Sequence, residues 1–406
     1  MANLLYLVHR LPYPPNKGDK VRSYHLLKHL ARQHKVFLGT FIDDPDDRLH
    51  LPRLQALCSD VFAVDIDPKW GKLRSLSGLL TGDALSLRFY RHAGLRRWVQ
   101  HTLATHRIDA SLVFSSSMGP YAQAPGAPPM LVDMVDVDSA KWAQYAANHT
   151  WPVSWLYKRE GERLLAYERE LVQRAQGSFL VTDNEVALFN QLAPESRGRV
   201  SALCNGVDAE YFDPALPTDN PFQPGEMPVV FTGAMDYWPN VDAVQWFANE
   251  MLPALRQRWP TLRFYIVGRA PAPAVSALAG EHVVVTGSVP DVRPYLRHAR
   301  VVVAPLRLAR GVQNKVLEAM AMGQPVVAAA SCVQAIDAQP GLCVAAAEHA
   351  QDYIREVNTL LSSAQASAAM GTQARAFVMQ HFDWTARMSG IDRALAQVLG
   401  QQGAAA

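Results

Sequence analysis

The segment between residues 301 and 329 constrains the fold of this chain more than any other. An apolar run at Val301–Ala304 leads into a loop, and a helical pattern follows over Val312–Met322. A second apolar run begins at once and covers Pro325–Ala329. A strand, a loop, a helix and a strand in this order predict one unit of a parallel sheet covered by helices.

The start of this helix is rich in groups that bind anions. The preceding loop contains Arg310 and Gly311, and the helix carries Lys315 near its first turn. The first N–H groups of a helix have no intrahelical partner and the macrodipole is positive there, so this end favours a phosphate. Glu318 lies one turn beyond Lys315, within reach of a sugar hydroxyl. The arrangement predicts a site for a diphosphate that carries a ribose, which is a nucleotide.

Length and composition limit the alternatives. A chain of 406 residues predicts two domains, and 49% hydrophobic with 19% charged residues indicates a soluble globular protein. A net charge of +2 argues against binding to nucleic acid. Four scattered cysteines are expected to be reduced core thiols in a cytoplasmic protein. The N-terminal apolar run is interpreted as a buried strand, and no run approaches the ~18 residues of a membrane span.

Strand and helix patterns alternate along the chain and restart after a proline-rich segment. We therefore predict an N-terminal domain over residues 1–213, a linker over 214–228 and a second domain over 229–380. A helix over 381–400 is expected to pack back on the first domain. In the first half, strands are predicted at Leu4–Val8, Val36–Phe41, Val61–Ile66, Ala110–Phe114, Met130–Val135 and Ser178–Thr182.

Four segments in order carry a family resemblance. VTGSVPDVRPYLRHARVVVAPLRLARGVQNKVLEAMAMGQPVV is similar to the donor-binding signature of the retaining GT-B glycosyltransferases of family 4. LCNGVDAEYFDP resembles the element that closes the first domain in that family, and FTGAMDYWPNVDAV the glycine turn that opens the second. PPNKGDKVRSYHLLKHL resembles the N-terminal glycine loop that faces the donor. Two further stretches, VDMVDVDSAKWAQYA and ARGVQNKVLEAMAMG, look most like the sugar transferases associated with exosortase/PEP-CTERM exopolysaccharide systems.

The resemblance implies an α/β fold of GT-B architecture, with two Rossmann-like domains whose parallel sheets face a central cleft. It implies a hexosyltransferase-like enzyme that needs no metal and no cofactor and transfers a sugar from a nucleotide-diphosphate donor to a hydroxyl acceptor with retention. Lys315 would stabilise the departing diphosphate and Glu318 would bind the ribose. The donor-binding residues implied are Gly18, Gly233, Ser288, Val289, Pro290, Arg310, Gly311, Val312, Gln313, Lys315 and Glu318.

Arg310 departs from the family pattern. Related enzymes usually carry a glutamate eight residues before the position of Glu318, and an arginine cannot accept hydrogen bonds from a sugar. Arg310 would bind phosphate, or recognise an acidic sugar, or the sugar contact has moved elsewhere. We favour the phosphate role, because the turn at Gly233–Asn240 lacks the Arg and Lys that many relatives place there.

Asp136 is the candidate for binding the sugar or activating the acceptor. It follows a predicted strand, and relatives place a histidine in this vicinity. Asp136 and Asp138 together also form a DxD pattern, which would indicate a metal-dependent transferase of another fold. Alternatively, an acidic residue at this position has the structural role of capping the next helix, a role that Asp138 fits better than Asp136.

The stretch 69–107 is basic and aromatic. It contains eight Lys and Arg residues and one acidic residue, Asp83. Trp70, Tyr90 and Trp98 lie among the basic residues. Such a composition suits an anionic bilayer at the inner face of the plasma membrane, where a polyprenol-linked or glycan acceptor would sit. The alternative is a solvated face over a partly buried helix pair.

Two rival functions remain open at this point. A sugar-nucleotide epimerase of the same architecture would need acid and base groups at the reacting carbon. A scaffold that kept the fold and lost catalysis would still bind a nucleotide.

Overall fold

A computed structural model of the chain describes residues 1–15, 18–124, 126–147, 149–307 and 312–404. The chain divides into two compact units. Unit 1 comprises Met1–Cys204 together with Arg387–Ala406, and unit 2 comprises Asn205–Ala386. Residues 205–213, which the sequence placed in the first domain, therefore pack within unit 2, where Arg375 donates to the Phe212 carbonyl and to the Asp213 carboxylate.

Unit 1 is built on a parallel sheet. Its strands, among the described residues, are β1 (Asn3–Val8), β2 (Lys35–Ile42), β3 (Asp60–Asp65), β4 (Ala110–Phe114), β5 (Met130–Val135), β6 (Gly177–Leu180) and β7 (Val200–Ala202). They lie in the order β3-β2-β1-β4-β5-β6-β7, and each pairing is parallel.

Helices connect these strands. The α-helices are Gly18–Ala31, Leu51–Leu57, Pro68–Ser75, Gly78–Thr81, Leu85–Phe89, Ala93–Thr105, Gly119–Ala122, Asp138–Ala147, Val153–Arg174, Asp183–Leu192 and the C-terminal Ser389–Ala404. Short 3₁₀ turns span Pro45–His50, Ser116–Met118 and Pro194–Ser196. Asp392 of the C-terminal helix receives a hydrogen-bond contact from His29 at 2.7 Å, which ties that helix to unit 1.

Unit 2 repeats the plan. Its strands, in the part of the chain that the structure describes, are β8 (Met227–Thr232), β9 (Leu262–Val267), β10 (Val283–Gly287), β11 (Val301–Ala304), β12 (Val326–Ala329) and β13 (Ala345–Ala347). Their order is β10-β9-β8-β11-β12-β13, and the pairings are again parallel.

The helices of unit 2 follow the same rhythm. They are Trp238–Trp246, Leu252–Arg258, Pro273–Ser276, Arg293–Arg297, Asn314–Ala321, Ala330–Ala335, Ala350–Ser362 and Ala364–His381. A π-helical stretch, Phe247–Met251, joins the first two. Trp384–Arg387 lies where the chain passes from unit 2 back to unit 1.

Burial explains why these segments are strands. Five of the six residues of β1 are buried, and all residues of β4 and β11 are buried. Strands covered by helices on both faces need nearly continuous apolar runs rather than alternation. The predicted parallel α/β sheets are confirmed.

In each sheet the strand order reverses at one point, and such a point leaves a crevice at the carboxyl ends of the strands. In unit 1 this point lies between β1 and β4, and in unit 2 between β8 and β11. The sequence therefore positions two crevices, one in each unit. His9 and Ser115 follow the strands at the first, and Gly233 and Pro305 follow those at the second.

Candidate functional site

Lys315 lies at the strand-order reversal of unit 2. Its helix follows β11, and its ammonium donates a hydrogen bond of 2.5 Å to Asn240 Oδ1, in the segment that follows β8. The same ammonium lies 4.2 Å from the centre of the Phe231 ring. Asn240 is buried and is itself held because its Nδ2 donates to the Ala234 carbonyl at 2.8 Å. One side chain thus fixes the cation at the crevice.

Two glycines allow the backbone to close tightly beneath this lysine. Gly233 follows β8 with φ 155°, and Gly268 follows β9 with the same φ. A Cβ on Gly268 would lie 1.6 Å from the Gly233 carbonyl oxygen, and one on Gly233 would lie 3.1 Å from Lys315 Nζ. No other residue fits these positions without displacing backbone or the lysine. The sequence pointed to Gly233 but not to Gly268 or Asn240.

Burial shifts the titration of the charged pair on this helix. Desolvation lowers the pKa of Lys315 to about 8, although Cys332 and Glu318 oppose the shift. Desolvation raises the pKa of Glu318 to about 7, and the ammonium of Lys315 opposes that shift. Both side chains are half-buried by surface exposure. A bound diphosphate would favour the charged form of Lys315.

The other donor-binding residues predicted in unit 2 follow β10 or β11, and two of them lie outside the described residues. Arg310 and Gly311 lie outside the described residues. Gln313 is the N-cap of the helix and makes no side-chain capping hydrogen bond to it, while Val312 packs on the core of unit 2. Ser288, Val289 and Pro290 form the turn after β10, with Ser288 and Pro290 exposed. Arg307, which follows β11 in the loop before this helix, forms an ion pair with Asp242.

Asn240 provides a test of this geometry. Changing Asn240 to alanine removes the acceptor that holds Lys315 but leaves the ammonium in place, so we expect nucleoside diphosphate binding to weaken by ~5- to 10-fold, the equivalent of one ordinary hydrogen bond of about 1 kcal/mol. Isothermal titration calorimetry measures it. Asn220→Ala, in the same unit, is the matched control, because its side chain accepts from the Phe222 amide at 3.0 Å, away from Lys315 in the fold of unit 2. Equal affinities of the Asn240 variant and the parent would show that Asn240 does not position the lysine.

Unit 1 contains a cavity of about 690 Å³ at its own strand-order reversal. His9, after β1, and Ser115–Ser117, after β4, contribute polar groups. Asp138 and Lys141 add an ion pair of 3.0 Å. The other walls are mainly apolar or aromatic and include Leu76, Leu85, Phe89, Tyr90, Trp142, Tyr145, Leu156, Tyr157 and Leu164. A cavity with this lining suits a ligand that is polar at one end and apolar at the other.

His9 is the best-placed polar group in this cavity. Its ring stacks on Phe114, with centroids 5.9 Å apart, and its Nε2 lies 3.4 Å from Asp19 Oδ2. Its Nδ1 is buried and has no hydrogen-bond partner among the described residues. Asp19 also accepts a hydrogen bond from Arg10 at 2.9 Å. Burial by itself would raise the pKa of the Asp19 carboxyl, but His9 and Arg10 hold this pKa well below its usual range. A carboxylate that orients a histidine is the arrangement of a general base.

Asp136 is engaged elsewhere. Lys141 Nζ donates to Asp136 Oδ2 at 2.7 Å and to Asp138 Oδ1 at 3.0 Å, and it is Asp138 that lines the cavity. Burial by itself would lower the pKa of Lys141, but the two carboxylates raise this pKa above its usual value. Val135, just before Asp136, has φ 69°, an unusual conformation for a β-branched residue. The catalytic role of Asp136 stays a prediction.

Three more residues of unit 1 are the predicted Gly18 and two acidic residues, Asp133 and Glu160. Gly18 begins the helix Gly18–Ala31, and a Cβ there would meet no described residue within 4 Å. Asp133 is fully buried, and both of its oxygens accept from Arg22, at 2.7 and 3.0 Å. Glu160, in the cavity wall, accepts from the Ser86 amide at 2.8 Å and so holds the start of the helix Leu85–Phe89. Asp133 and Glu160 therefore stabilise the unit.

Residues 227–363 match the family model described as "Glycosyl transferases group 1". Two solved structures are similar in fold over the whole chain. Alr3699/HepE from Anabaena, in complex with UDP, is 16% identical with a TM-score of 0.66, covering 98% of this chain and 100% of that one. Sucrose-phosphate synthase from Thermosynechococcus elongatus is 17% identical with a TM-score of 0.68, covering 100% of both chains. The predicted GT-B architecture is confirmed.

The same Anabaena protein in complex with UDP-glucose is also similar, with a TM-score of 0.64 and 17% identity, covering 98% of this chain and 100% of that one. Comparison with curated proteins finds no match. In the described residues, no helix combines the length and the apolarity that crossing a bilayer requires.

Proposed function

We propose that this chain, which carries a glycosyl transferases group 1 domain in its second unit, is a retaining glycosyltransferase. It takes a sugar from a nucleotide-diphosphate donor and passes it to a hydroxyl acceptor. The observation that supports this best is the fixed ammonium of Lys315 at the start of a helix and at the strand-order reversal of unit 2. A cation and a helix N-terminus together provide the charge that a diphosphate requires.

The chemistry follows from this placement. The bond between the anomeric carbon and the diphosphate oxygen breaks, and negative charge develops on the leaving phosphate. Lys315 and the helix start stabilise that charge, which is the main electrostatic requirement of the step. Glu318 accepts hydrogen bonds from the ribose. The acceptor oxygen forms the new bond to the anomeric carbon, and its proton passes to the leaving phosphate.

We also propose the more detailed features that were predicted from the sequence. The enzyme is hexosyltransferase-like and uses neither a metal nor a cofactor, and Arg310 with the Gly311 amide completes the diphosphate site. It acts on the cytoplasmic side in the synthesis of exopolysaccharide or another cell-surface glycan. Asp136 and the His9–Asp19 pair are the candidates for contacts to the transferred sugar and the acceptor. A uridine nucleotide is the first donor to try, because a similar structure holds UDP-glucose.

Thermal denaturation with UDP, GDP, ADP, TDP and CMP, each with and without Mg²⁺, tests the proposal. We expect one diphosphate to raise the melting temperature without Mg²⁺, since a ligand at a hundredfold excess over its Kd stabilises a fold by roughly 2.7 kcal/mol. A shift that needs Mg²⁺ would support a metal role for Asp136 and Asp138. If no nucleotide changes the melting temperature, the transferase proposal is wrong.

Product analysis then separates transfer from epimerisation. We expect the donor that binds to yield a glycosylated acceptor, and no epimerised nucleotide sugar in the absence of acceptor. Binding without transfer or hydrolysis under any condition would instead favour the scaffold function.

A further inference from the structure

The surface of unit 1 next to the cavity has its apolar side chains on the outside. On the helices Pro68–Ser75 and Gly78–Thr81 the large residues face solvent: Trp70 is 70% exposed, Leu73 58% and Leu80 92%. The residues that face the protein are small, namely Gly71, Ser75 and Gly78. A helix that packs on a soluble protein normally shows the reverse pattern.

The packing of the neighbouring helix explains why the inner face must be small. A Cβ on Gly71 would lie 2.6 Å from the ring of Phe89, and one on Gly78 would lie 3.1 Å from the Asp83 carbonyl oxygen. The helix Leu85–Phe89 therefore leaves no space for Trp70 or Leu73 to turn inwards. These apolar side chains contribute little to the folding of unit 1, and an exposed apolar cluster of this kind marks an interaction surface.

The same helix is positively charged. Lys69, Lys72 and Arg74 are exposed, and residues 68–82 contain no acidic residue. The flanking acids are already engaged: Asp67 caps the helix by accepting from the Lys69 amide at 2.8 Å, and Asp83 pairs with Arg88. Exposed tryptophan and leucine beside unopposed lysine is the composition that binds an anionic bilayer.

A second segment of unit 1 shows the same character. Trp151 is 80% exposed and Trp155 is 54% exposed, and they lie at the start of the helix Val153–Arg174. Both segments also line the cavity described above, the first through Lys72, Ser75 and Leu76, and the second through Leu156 and Tyr157. Both segments thus combine exposed apolar side chains with other residues in the wall of this one cavity, while Trp155 itself lines a second cavity together with Ala140 and Leu165.

We propose that this apolar rim, consisting of Trp70, Leu73, Leu80 and Trp151, inserts into the interface of an anionic bilayer. The adjacent cavity then receives the head group of an acceptor that is carried on a lipid in that bilayer. The inference rests on the proposed function for the acceptor, while the bilayer contact itself follows from the exposed side chains and their charge.

Flotation of the full-length protein with vesicles tests the bilayer contact. Vesicles of phosphatidylcholine alone are compared with vesicles containing 30% phosphatidylglycerol, at low and high salt. We expect the protein to bind the anionic vesicles and this binding to weaken with salt. The double variant Trp70→Ser/Leu80→Ser should bind them at least ~10-fold more weakly, because it no longer buries two large apolar side chains in the bilayer. Lys69→Gln/Lys72→Gln is expected to lose ~10-fold on anionic vesicles only.

Matched controls distinguish binding through this surface from nonspecific binding to vesicles. Leu342→Ser removes an exposed leucine from unit 2, and Lys35→Gln removes an exposed lysine from the amino end of β2, the sheet edge opposite the cavity. Both are expected to bind vesicles like the parent. If the rim variants bind vesicles as the parent does, or if none of the proteins binds anionic vesicles, the proposal is wrong.

Two further measurements keep the outcomes distinct. Sedimentation would show a dimer that the rim variants abolish if the surface instead binds a second copy of this chain, and that result would overturn the bilayer contact. Nucleotide-dependent melting of the rim variants should equal that of the parent. Loss of vesicle binding with intact nucleotide binding supports the inference, whereas absence of nucleotide binding in all proteins refutes the proposed function and leaves the bilayer result to stand alone.

Discussion

Replacing Lys315 with alanine is expected to weaken nucleoside diphosphate binding ~30- to 100-fold. A hydrogen bond from a charged donor is worth about 1.5–3 kcal/mol, and here the donor is held in place by Asn240 before the ligand arrives. Isothermal titration calorimetry at pH 7 measures the change. The turnover number should fall further than the affinity, since the ammonium is needed most when charge develops on the leaving phosphate.

The pH dependence of nucleoside diphosphate binding tests the role of Lys315 in a second way. The pKa of Lys315 is lowered to about 8 by desolvation, so the free protein loses the positive charge as the pH rises through 8. An anionic diphosphate binds the protonated form of Lys315, and affinity should therefore fall as the pH rises from 8 towards 9, above the range in which Glu318 ionises with a pKa of about 7.

Lys315→Arg is the matched variant for the pH experiment. An arginine stays charged throughout this range, so the fall in affinity above pH 8 should disappear even if the longer side chain fits less well. A parent affinity that is flat between pH 7 and 9, together with an alanine variant that binds normally, would remove Lys315 from the diphosphate site.

Replacing Gly268 with alanine is expected to destabilise unit 2 by ~3 kcal/mol or more. The new Cβ would lie 1.6 Å from the Gly233 carbonyl oxygen, and the φ of 155° is itself unfavourable for alanine. Strain and overpacking each contribute about 1–3 kcal/mol. Because backbone rather than a flexible side chain must move, the Gly233 turn should shift and nucleotide binding should be lost with it.

Thermal denaturation followed by circular dichroism measures this effect. A loss of that size corresponds to a decrease of roughly 6–12 °C in the melting temperature of a unit of this length. Gly280→Ala is the control, because a Cβ there meets no described residue within 4 Å. It should melt within about 2 °C of the parent. Similar melting of both variants would mean that the two glycines do not approach as closely as described.

Strand positions were predictable wherever burial on both faces required a long apolar run. The strands at Ala110–Phe114, Met130–Val135 and Val301–Ala304 have the predicted bounds. The edge strands β7 and β13 were missed, because each has three residues and the sequences VSA and AAA carry no strand signal of their own. Their pairing depends on the neighbouring strands β6 and β12, which the local sequence does not encode.

The spacing of apolar residues over Val241–Arg258 predicts one helix, whereas the structure begins it at Trp238 and inserts a π-helical stretch at Phe247–Met251. Pro253 is the second residue of the helix Leu252–Arg258 that follows this stretch, and a proline lacks the N–H that a continuous α-helix would use there. The hydrophobic period indicated the helix correctly but contains no information on a single extra residue in one turn.

The chain by itself determined which residue types lie at the two strand-order reversals. The alternation of buried runs and helical patterns requires parallel sheets, and parallel sheets gather the carboxyl ends of their strands at one edge, so the site residues after each strand follow from order alone. Tertiary structure alone decided their partners: Asn240 for Lys315, Gly268 for Gly233, and Lys141 for Asp136. It also decided that Trp70 and Leu80 face outwards, because the space left by a neighbouring helix is a property of packing between distant segments.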